Sequence, residues 1–288
     1  MSNLLQIIFN GILIGGIYAL MSQGLSLIFG VIGIINFAHG EFLMLSMYLT
    51  FWLFQLWGID PYISIVIVTP LFFLFGFATQ KVVFQHLIKA PHLSQIFAAF
   101  GLVIVFQNIA LFFWKADYRM VKTGYSAATV HIGALNLSFP RIIVFIMATA
   151  VTLVLYLFLK RTYLGKAIRA TALDPDAAAL MGINPMMIYC IAFGIGGALC
   201  GVAGTLLVPI YYVFPTIGAY FVLIAFVVVV LGGLGNVFGA FFGGLLIGIT
   251  EVLSGYFFTS SFKEGIYFLI FILVLLIRPS GIFGLGKT

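Results

Sequence analysis

Phe221-Val-Leu-Ile-Ala-Phe-Val-Val-Val-Val230-Leu-Gly-Gly-Leu-Gly235 runs on into Asn236-Val-Phe-Gly-Ala-Phe-Phe-Gly-Gly-Leu-Leu-Ile-Gly-Ile-Thr250-Glu251, and no charge interrupts it before Glu251. A helix needs about 20 apolar residues to cross a hydrocarbon core. The stretch therefore reads as two spans, 218–236 and 237–256, that meet at glycines. The rest of the chain agrees: 288 residues, 64% hydrophobic and only 7% charged, with a mean hydropathy of +1.25. A soluble domain carries about 25% charged residues. Disordered chain, disulfide scaffold, fibrous repeat and ordinary cytosolic enzyme are excluded on composition. The fold class is all-α: a polytopic integral membrane protein, with residues 1–288 forming one transmembrane domain.

Working outward, the runs 4–29, 36–57, 61–80, 94–114, 141–159, 186–208 and 264–278 also qualify. Because several are broken by glycine, eight or nine spans are expected. Asp60-Pro61 and Asn184-Pro185 each set an N-cap side chain before a proline at the first helical position, and Ser261-x-x-Glu264 reads as a capping box. No Lys or Arg precedes Lys81, so the first apolar run reads as a retained span and not as a signal peptide. Cys190 and Cys200 lie ten residues apart on one predicted helix, roughly 15 Å, too far to bridge each other.

The formal charge is +6, and the basic residues sit in short loops, as beside an anionic membrane surface rather than along a nucleic-acid stripe. If 81–93, 160–185 and the C-terminal tail are cytoplasmic, they hold Lys81, Lys89, Lys160, Arg161, Lys166, Arg169, Arg278 and Lys287. The opposite side keeps Lys115, Arg119, Lys122, Arg141 and Lys263. The bias orients the chain with its C-terminus inside. Trp52, Trp57, Trp114, Tyr118, Tyr211 and Tyr212 fall near span ends, as aromatic belts do.

Glycine is abundant, with 32 residues. Gly11-x-x-x-Gly15, Gly197-x-x-x-Gly201, the series Gly235, Gly239, Gly243 and the adjoining Ala240, Gly244, Gly248 are stripes that let helix backbones approach within lipid. Gly232, Gly233 and Gly235 are candidates for a helix break at membrane depth, which is tolerated only beside protein or a watery cavity. They are therefore pathway candidates. A literal phosphate-loop pattern, Gly281 to Thr288, follows a membrane span and has no helix after it, so it lacks the context that phosphate binding needs.

Ile35-Asn36-Phe-Ala-His39-Gly-Glu41 sets an amide, an imidazole and the first acid of the chain inside an apolar stretch. An acid in the membrane faces the bundle interior, a partner or water. Asn36, His39 and Glu41 are accordingly pathway candidates, although Glu41 could instead lie at a mouth, favoured by the start of its helix. His39-Gly-Glu41 lacks the second histidine of a zinc helix, and no nucleophile–base set accompanies it; neither a metal site nor a catalytic residue is assigned. Glu251 is the other acid within a span and receives no role.

The polar residues concentrate in 160–185. Asp174 is an N-cap, Pro175 the first helical residue and Asp176 a favourable first-turn acid. Ala177 to Met181 favour helix, and Gly182 supplies a left-handed stop. The result, over 174–182, is a two-turn helix too short to stand alone in water, with Leu180 and Met181 as knobs suited to a partner's groove.

At this point the sequence resembles a known family. Gly165-Lys-Ala-Ile-Arg169-Ala, Asp174-Pro-Asp-Ala-Ala and Leu180-Met-Gly182-Ile-Asn184 resemble the permeases of branched-chain amino acid ABC importers. So do Asn36-Phe-Ala-His-Gly-Glu41, Pro215-Thr-Ile-Gly218, Val230-Leu-Gly-Gly-Leu-Gly235 and Arg278-Pro-Ser-Gly-Ile-Phe-Gly284, in order across nearly the whole chain. The resemblance implies an inner-membrane subunit of an ATP-driven importer, the smaller of the family's two permeases. It further implies a second permease, two cytoplasmic ATPases that bind the ATP, an external solute-binding protein, and no cofactor in this chain. Carried over residue by residue, Arg169, Asp174, Asp176, Ala177, Ala178 and Gly182 form the ATPase-coupling element. Three positions depart from the family's pattern: Phe238 where Pro is frequent, Ile224 where Lys is frequent, and Gln80-Lys81 where Glu-Arg is common. They leave the substrate open among branched-chain and other amino acids, urea and short amides. The competing reading is a stand-alone channel or proton-coupled secondary transporter for a small polar solute.

Overall fold

The computed structural model describes residues 2–133, 135–258 and 262–284. Its helices are α1 (Ser2–Ile32), α2 (His39–Trp57), α3 (Pro61–Val82), α4 (His92–Trp114), α5 (Phe139–Arg161), α6 (Tyr163–Leu173), α7 (Pro175–Leu180), α8 (Pro185–Leu207), α9 (Ile217–Gly232), α10 (Val237–Phe257) and α11 (Lys263–Ile277). Every expected apolar run is carried by one of nine of these helices. Six of the nine (α1, α3, α4, α5, α8 and α10) are long and apolar enough to cross a membrane. The expectation of eight or nine full spans is thereby narrowed. Helix α2 opens on His39 and Glu41, while α9 and α11, at 16 and 15 residues, are cut short by Gly232 and Arg278. The loop expected at 115–140 contains a small hairpin, β1 (Thr129–Ile132) antiparallel to β2 (Leu135–Ser138), with Thr129 opposite Ser138. Gln6 of α1 exchanges two hydrogen bonds with the Asn136 backbone (2.6 and 2.8 Å) and anchors that hairpin.

The caps form as their chemistry requires. Asp60 Oδ1 accepts from Tyr62 N (2.8 Å), and Asn184 Oδ1 accepts from Met186 N (3.1 Å) and Met187 N (3.3 Å). Of the expected capping box, Ser261 lies outside the described residues, and Glu264 stands in the first turn of α11. Both cysteines are on α8, buried and unbridged.

Glycine decides which helices touch. A Cβ on Gly11 would lie 2.6 Å from the Ile249 Cα, and one on Gly15 would lie 2.6 Å from the Leu245 Cα. From the other side, Gly244 abuts the Ala19 backbone and Gly248 the Gly15 backbone. Helix α10 thus turns Ala240, Gly244 and Gly248 toward α1. Its other stripe faces α9: Gly239 lies against Gly232, and Gly243 against the Val228 carbonyl. Helix α8 packs on α3 in the same manner, Gly194 and Gly197 against Phe72, Phe73 and Gly76. Between these pairs lies a core that includes Tyr18, Met21, Leu43, Met47, Leu206, Phe221 and Val228.

The glycines at 232–235 form the turn between α9 and α10, where the two expected spans were to meet. Helix α9 stops at Gly232, and Gly233 (φ +99°) and Gly235 (φ +84°) take left-handed conformations. Asn236 then caps α10 by accepting from Gly239 N at 3.0 Å. The turn lines a recess together with Lys160 and Arg169, so it belongs to the end of the bundle that carries α6 and α7. Its tightness suits Gly281 and Gly284, which pack against Gly233.

Two outcomes follow. Gly15→Leu drives a side chain into the α10 backbone and costs about 1–3 kcal/mol or more, whereas Gly101→Leu on α4, where a Cβ meets nothing within 4 Å, leaves the thermal midpoint of the detergent-solubilised protein unchanged. Equal midpoints for both variants would refute the packing assignment. In the loop, Tyr125 Oη donates to Asp60 Oδ2 at 2.8 Å, and burial, followed by this bond, raises the Tyr125 pKa above its ordinary value. An unfolded tyrosine loses its proton at about pH 10 while the folded one retains it. Stability therefore declines as pH rises past that point, and Tyr125→Phe should flatten the decline in alkaline thermal melts.

Candidate functional site

Two groups of residues stand out: a segment at one end of the bundle and a polar cluster within it.

The segment begins at Thr162, whose hydroxyl accepts from Gly165 N (3.0 Å) and starts α6. Gly165 lets α6 fold back against the Phe158–Leu159 backbone. Ala167 and Ile168 are buried in a cluster with Leu27, Val31, Leu155 and Ile188. Asp174 then closes α6 and opens α7, its Oδ1 accepting from Asp176 N (2.9 Å) and Ala177 N (3.0 Å). Pro175 occupies the first helical position. Three turns of chemistry end the helix: Gly182 at φ +80°, Gly182 N donating to Ala179 O (3.0 Å), and Ile183 N to Ala178 O (3.1 Å). Ala178 alone is buried; Asp174, Asp176, Ala177 and Gly182 lie open. Beyond them Leu180 is 89% exposed, Met181 82% and Leu173 88%. Apolar side chains this bare on a short, fully capped helix form a surface awaiting cover. Arg169 is not on this surface; it sits on α6 and lines the recess with Lys160. Helix α6 itself is what the sequence reading lacked. Its signal was Thr162 three residues before Gly165.

The cluster forms where α1 gives way to α2. Asn36 Oδ1 accepts from Ala38 N (3.1 Å), an Asx turn that launches α2; its Nδ2 has no partner among the described residues. His39 Nε2 lies 3.3 Å from Met21 O and 3.2 Å from Cys200 Sγ, with Gly24 beneath the ring. Glu41 is 1% exposed. Its Oε1 accepts from Gln107 Nε2 of α4 (2.9 Å), and its Oε2 finds no partner among the described residues. The carboxylate therefore takes none of the first-turn amides of α2 and is held from across the bundle. Gly40 and Gly218 touch backbone to backbone, which brings α9 against α2 beside Glu41 and gives Pro215-Thr-Ile-Gly218 a packing role. Gln107 is the member that sequence reasoning missed: nothing local distinguishes an amide 66 residues away. Gly232, Gly233 and Gly235 are not part of this cluster.

Glu251 has a clear local account. Tyr18 Oη donates to its Oε2 at 2.5 Å, joining α1 to α10 beside the glycine contact. Of the departing positions, Ile224 is core, Phe238 packs edge-on against Tyr156 with centroids 4.6 Å apart, and Gln80 is buried with neither amide atom partnered among the described residues. No group of three or more His, Cys, Asp or Glu able to hold a metal occurs among the described residues.

The sequence profile described as "Branched-chain amino acid transport system / permease component" matches residues 7–277. The chain is 34% identical to the high-affinity branched-chain amino acid transport system permease protein BraD of Pseudomonas aeruginosa, over 97% of this chain and 95% of that protein. It is 32% identical to the corresponding permease protein LivH of Escherichia coli K12, again over 97% and 95%. It is 30% identical to the probable LivH of Methanocaldococcus jannaschii, over 97% and 92%. No solved structure matches. With six helices among the described residues long and apolar enough to cross a membrane, and a family profile that covers nearly all of it, this chain belongs to the branched-chain amino acid transport permease family.

Proposed function

We propose that this chain is one permease subunit of an ATP-driven importer that carries branched-chain or related amino acids into the cytoplasm. Its partners are a second permease, two cytoplasmic ATPases that bind the ATP, and an extracytoplasmic solute-binding protein. The observation that carries the proposal is α7: six residues, capped at both ends, with Leu180 and its C-cap Met181 open to solvent, as is Leu173 at the end of α6. Such a helix gains its stability from a groove that receives it. Asp174, Asp176, Ala177, Ala178 and Gly182 form the docking element, with Arg169 on α6 behind it. The charges Lys160, Arg161, Lys166 and Arg169 beside it favour a cytoplasmic location for this end, and with it for the C-terminus. The relatives' substrates are the basis for naming branched-chain amino acids.

We assign Asn36, His39 and Glu41 to the translocation pathway, since an acid with one free oxygen inside a membrane bundle is retained where it meets a solute or water. Transport is a conformational function here, and the chain supplies no catalytic residue to it.

Reconstitution tests both assignments. In proteoliposomes holding all partners, Gly182→Val forces a β-branched residue into a left-handed conformation at about 1–3 kcal/mol, and Asp174→Ala removes a cap worth about 1 kcal/mol. Both should cut ATP-driven leucine uptake at least about tenfold while ATP hydrolysis persists. Undiminished uptake in both, or uptake by the purified chain without ATPases, would overturn the reading. Glu41→Gln preserves size and the bond from Gln107 but removes the ionisable group. It should depress uptake without lowering the thermal midpoint, and wild-type uptake would take Glu41 out of the pathway.

A further inference from the structure

The recess at the α6–α7 end of the bundle has a volume of about 950 Å³. Its walls come from the last turns of α1 and α5, from α6, from the 234–236 turn, from the start of α10 and from the segment after α11, including Pro279 and Phe283. Most of the lining is apolar, including Leu27, Val31, Leu159 and Phe238, and no Asp or Glu contributes to it. Two cations do. Lys160 Nζ is steadied by Tyr156 Oη (3.1 Å) and lies 5.4 Å from the centroid of that ring. Arg169 reaches the same space from α6. Neither is paired with a carboxylate among the described residues, where the ion pair present is Arg119–Asp117.

A third feature points the same way. Helix α10 begins in this recess, and the backbone N–H groups of Val237 and Phe238 have no acceptor among the described residues; Asn236 Oδ1 serves Gly239 N. Unclaimed amides at the start of a 21-residue helix attract an anion, and two unpaired cations beside them add to that attraction.

Depth selects the kind of anion. Helix α5 has 23 residues, or about 34 Å at about 1.5 Å per residue, against a core of about 30 Å. Lys160, at its end, therefore sits at headgroup level, with the apolar walls below it in the acyl region. We propose that this recess binds an anionic phospholipid, its phosphodiester at Lys160, Arg169 and the α10 N-terminus, its acyl chains along Leu27, Val31, Leu159 and Phe238. A basic pocket between helix ends is the usual setting for such recognition. The proposal rests on the membrane fold alone, and holds whatever solute the chain transports.

Native mass spectrometry of the purified, delipidated chain, reloaded with phosphatidylglycerol or phosphatidylcholine, tests it. One phosphatidylglycerol should be retained about tenfold more than phosphatidylcholine. Lys160→Gln with Arg169→Gln should bring retention down to the phosphatidylcholine level, and Lys160→Arg should preserve it. Both side chains are exposed, so the variants should keep the wild-type thermal midpoint, which is measured alongside. Equal retention of the two lipids, or a double variant that still selects phosphatidylglycerol, would overturn the proposal. Displacement by millimolar inorganic phosphate would make the recess a simple anion site. Loss of the lipid from the assembled transporter would give the recess to a protein partner. Either result also overturns it.

Discussion

The backbone contact between α1 and α10 is the constraint on which the rest of the bundle depends. In lipid, no hydrophobic drive pushes two apolar helices together, and close packing must supply the attraction. Gly11 and Gly15 on one helix, and Gly244 and Gly248 on the other, remove the side chains that would hold the axes apart. Once α10 lies on α1, its second small-residue stripe is aimed at α9, and the Tyr18–Glu251 hydrogen bond adds a polar tie to the pair. The same device joins α8 to α3. Two glycine-cemented pairs thus leave α2 and α9 to cross between them at Gly40 and Gly218.

That crossing explains why the polar cluster lies where it does. Only glycine at both 40 and 218 lets the two helices meet, and the residues on either side, His39 and Glu41, are buried by the same approach. Each keeps one polar atom without a partner among the described residues. Buried groups of this kind cost about 1–3 kcal/mol apiece when left unpaired, so the crossing is made at the expense of polar satisfaction.

Features set by neighbours in the chain were legible from sequence. The spans follow from apolar length, the caps from Asp60-Pro61, Asp174-Pro175 and Asn184-Pro185, and the stripes from four-residue spacing. The stop of α7 at Gly182 follows from the need for positive φ. What was not legible depends on distant partners or on depth. Gln107 reaches Glu41 across 66 residues, and Tyr18 reaches Glu251 across 233; hydropathy encodes neither. That Gly232–Gly235 joins α9 to α10 as a tight turn was not legible either, because an apolar run does not say where along it the chain reverses. Helix α6 was absorbed into a loop because its amphipathic face needs α1, α5 and α8 to complete it.

Helix α6 also determines what a movement of α7 would reach first. The two share Asp174, which ends one helix and caps the other, so they cannot swing independently without breaking that cap. Ala167 and Ile168 bury α6 against Leu27 and Val31 of α1, Leu155 of α5 and Ile188 of α8. Packed interiors shift between discrete arrangements and do not deform smoothly. A load applied at Leu180 and Met181 would therefore arrive at the seam between α1 and α8. On that seam, one to two turns further along α1, Gly24 lies against both the His39 ring and the Gly196 carbonyl. The glycine that admits the imidazole is then on the helix that the α6–α7 segment and the polar cluster share. A side chain there would obstruct the cluster and the seam together.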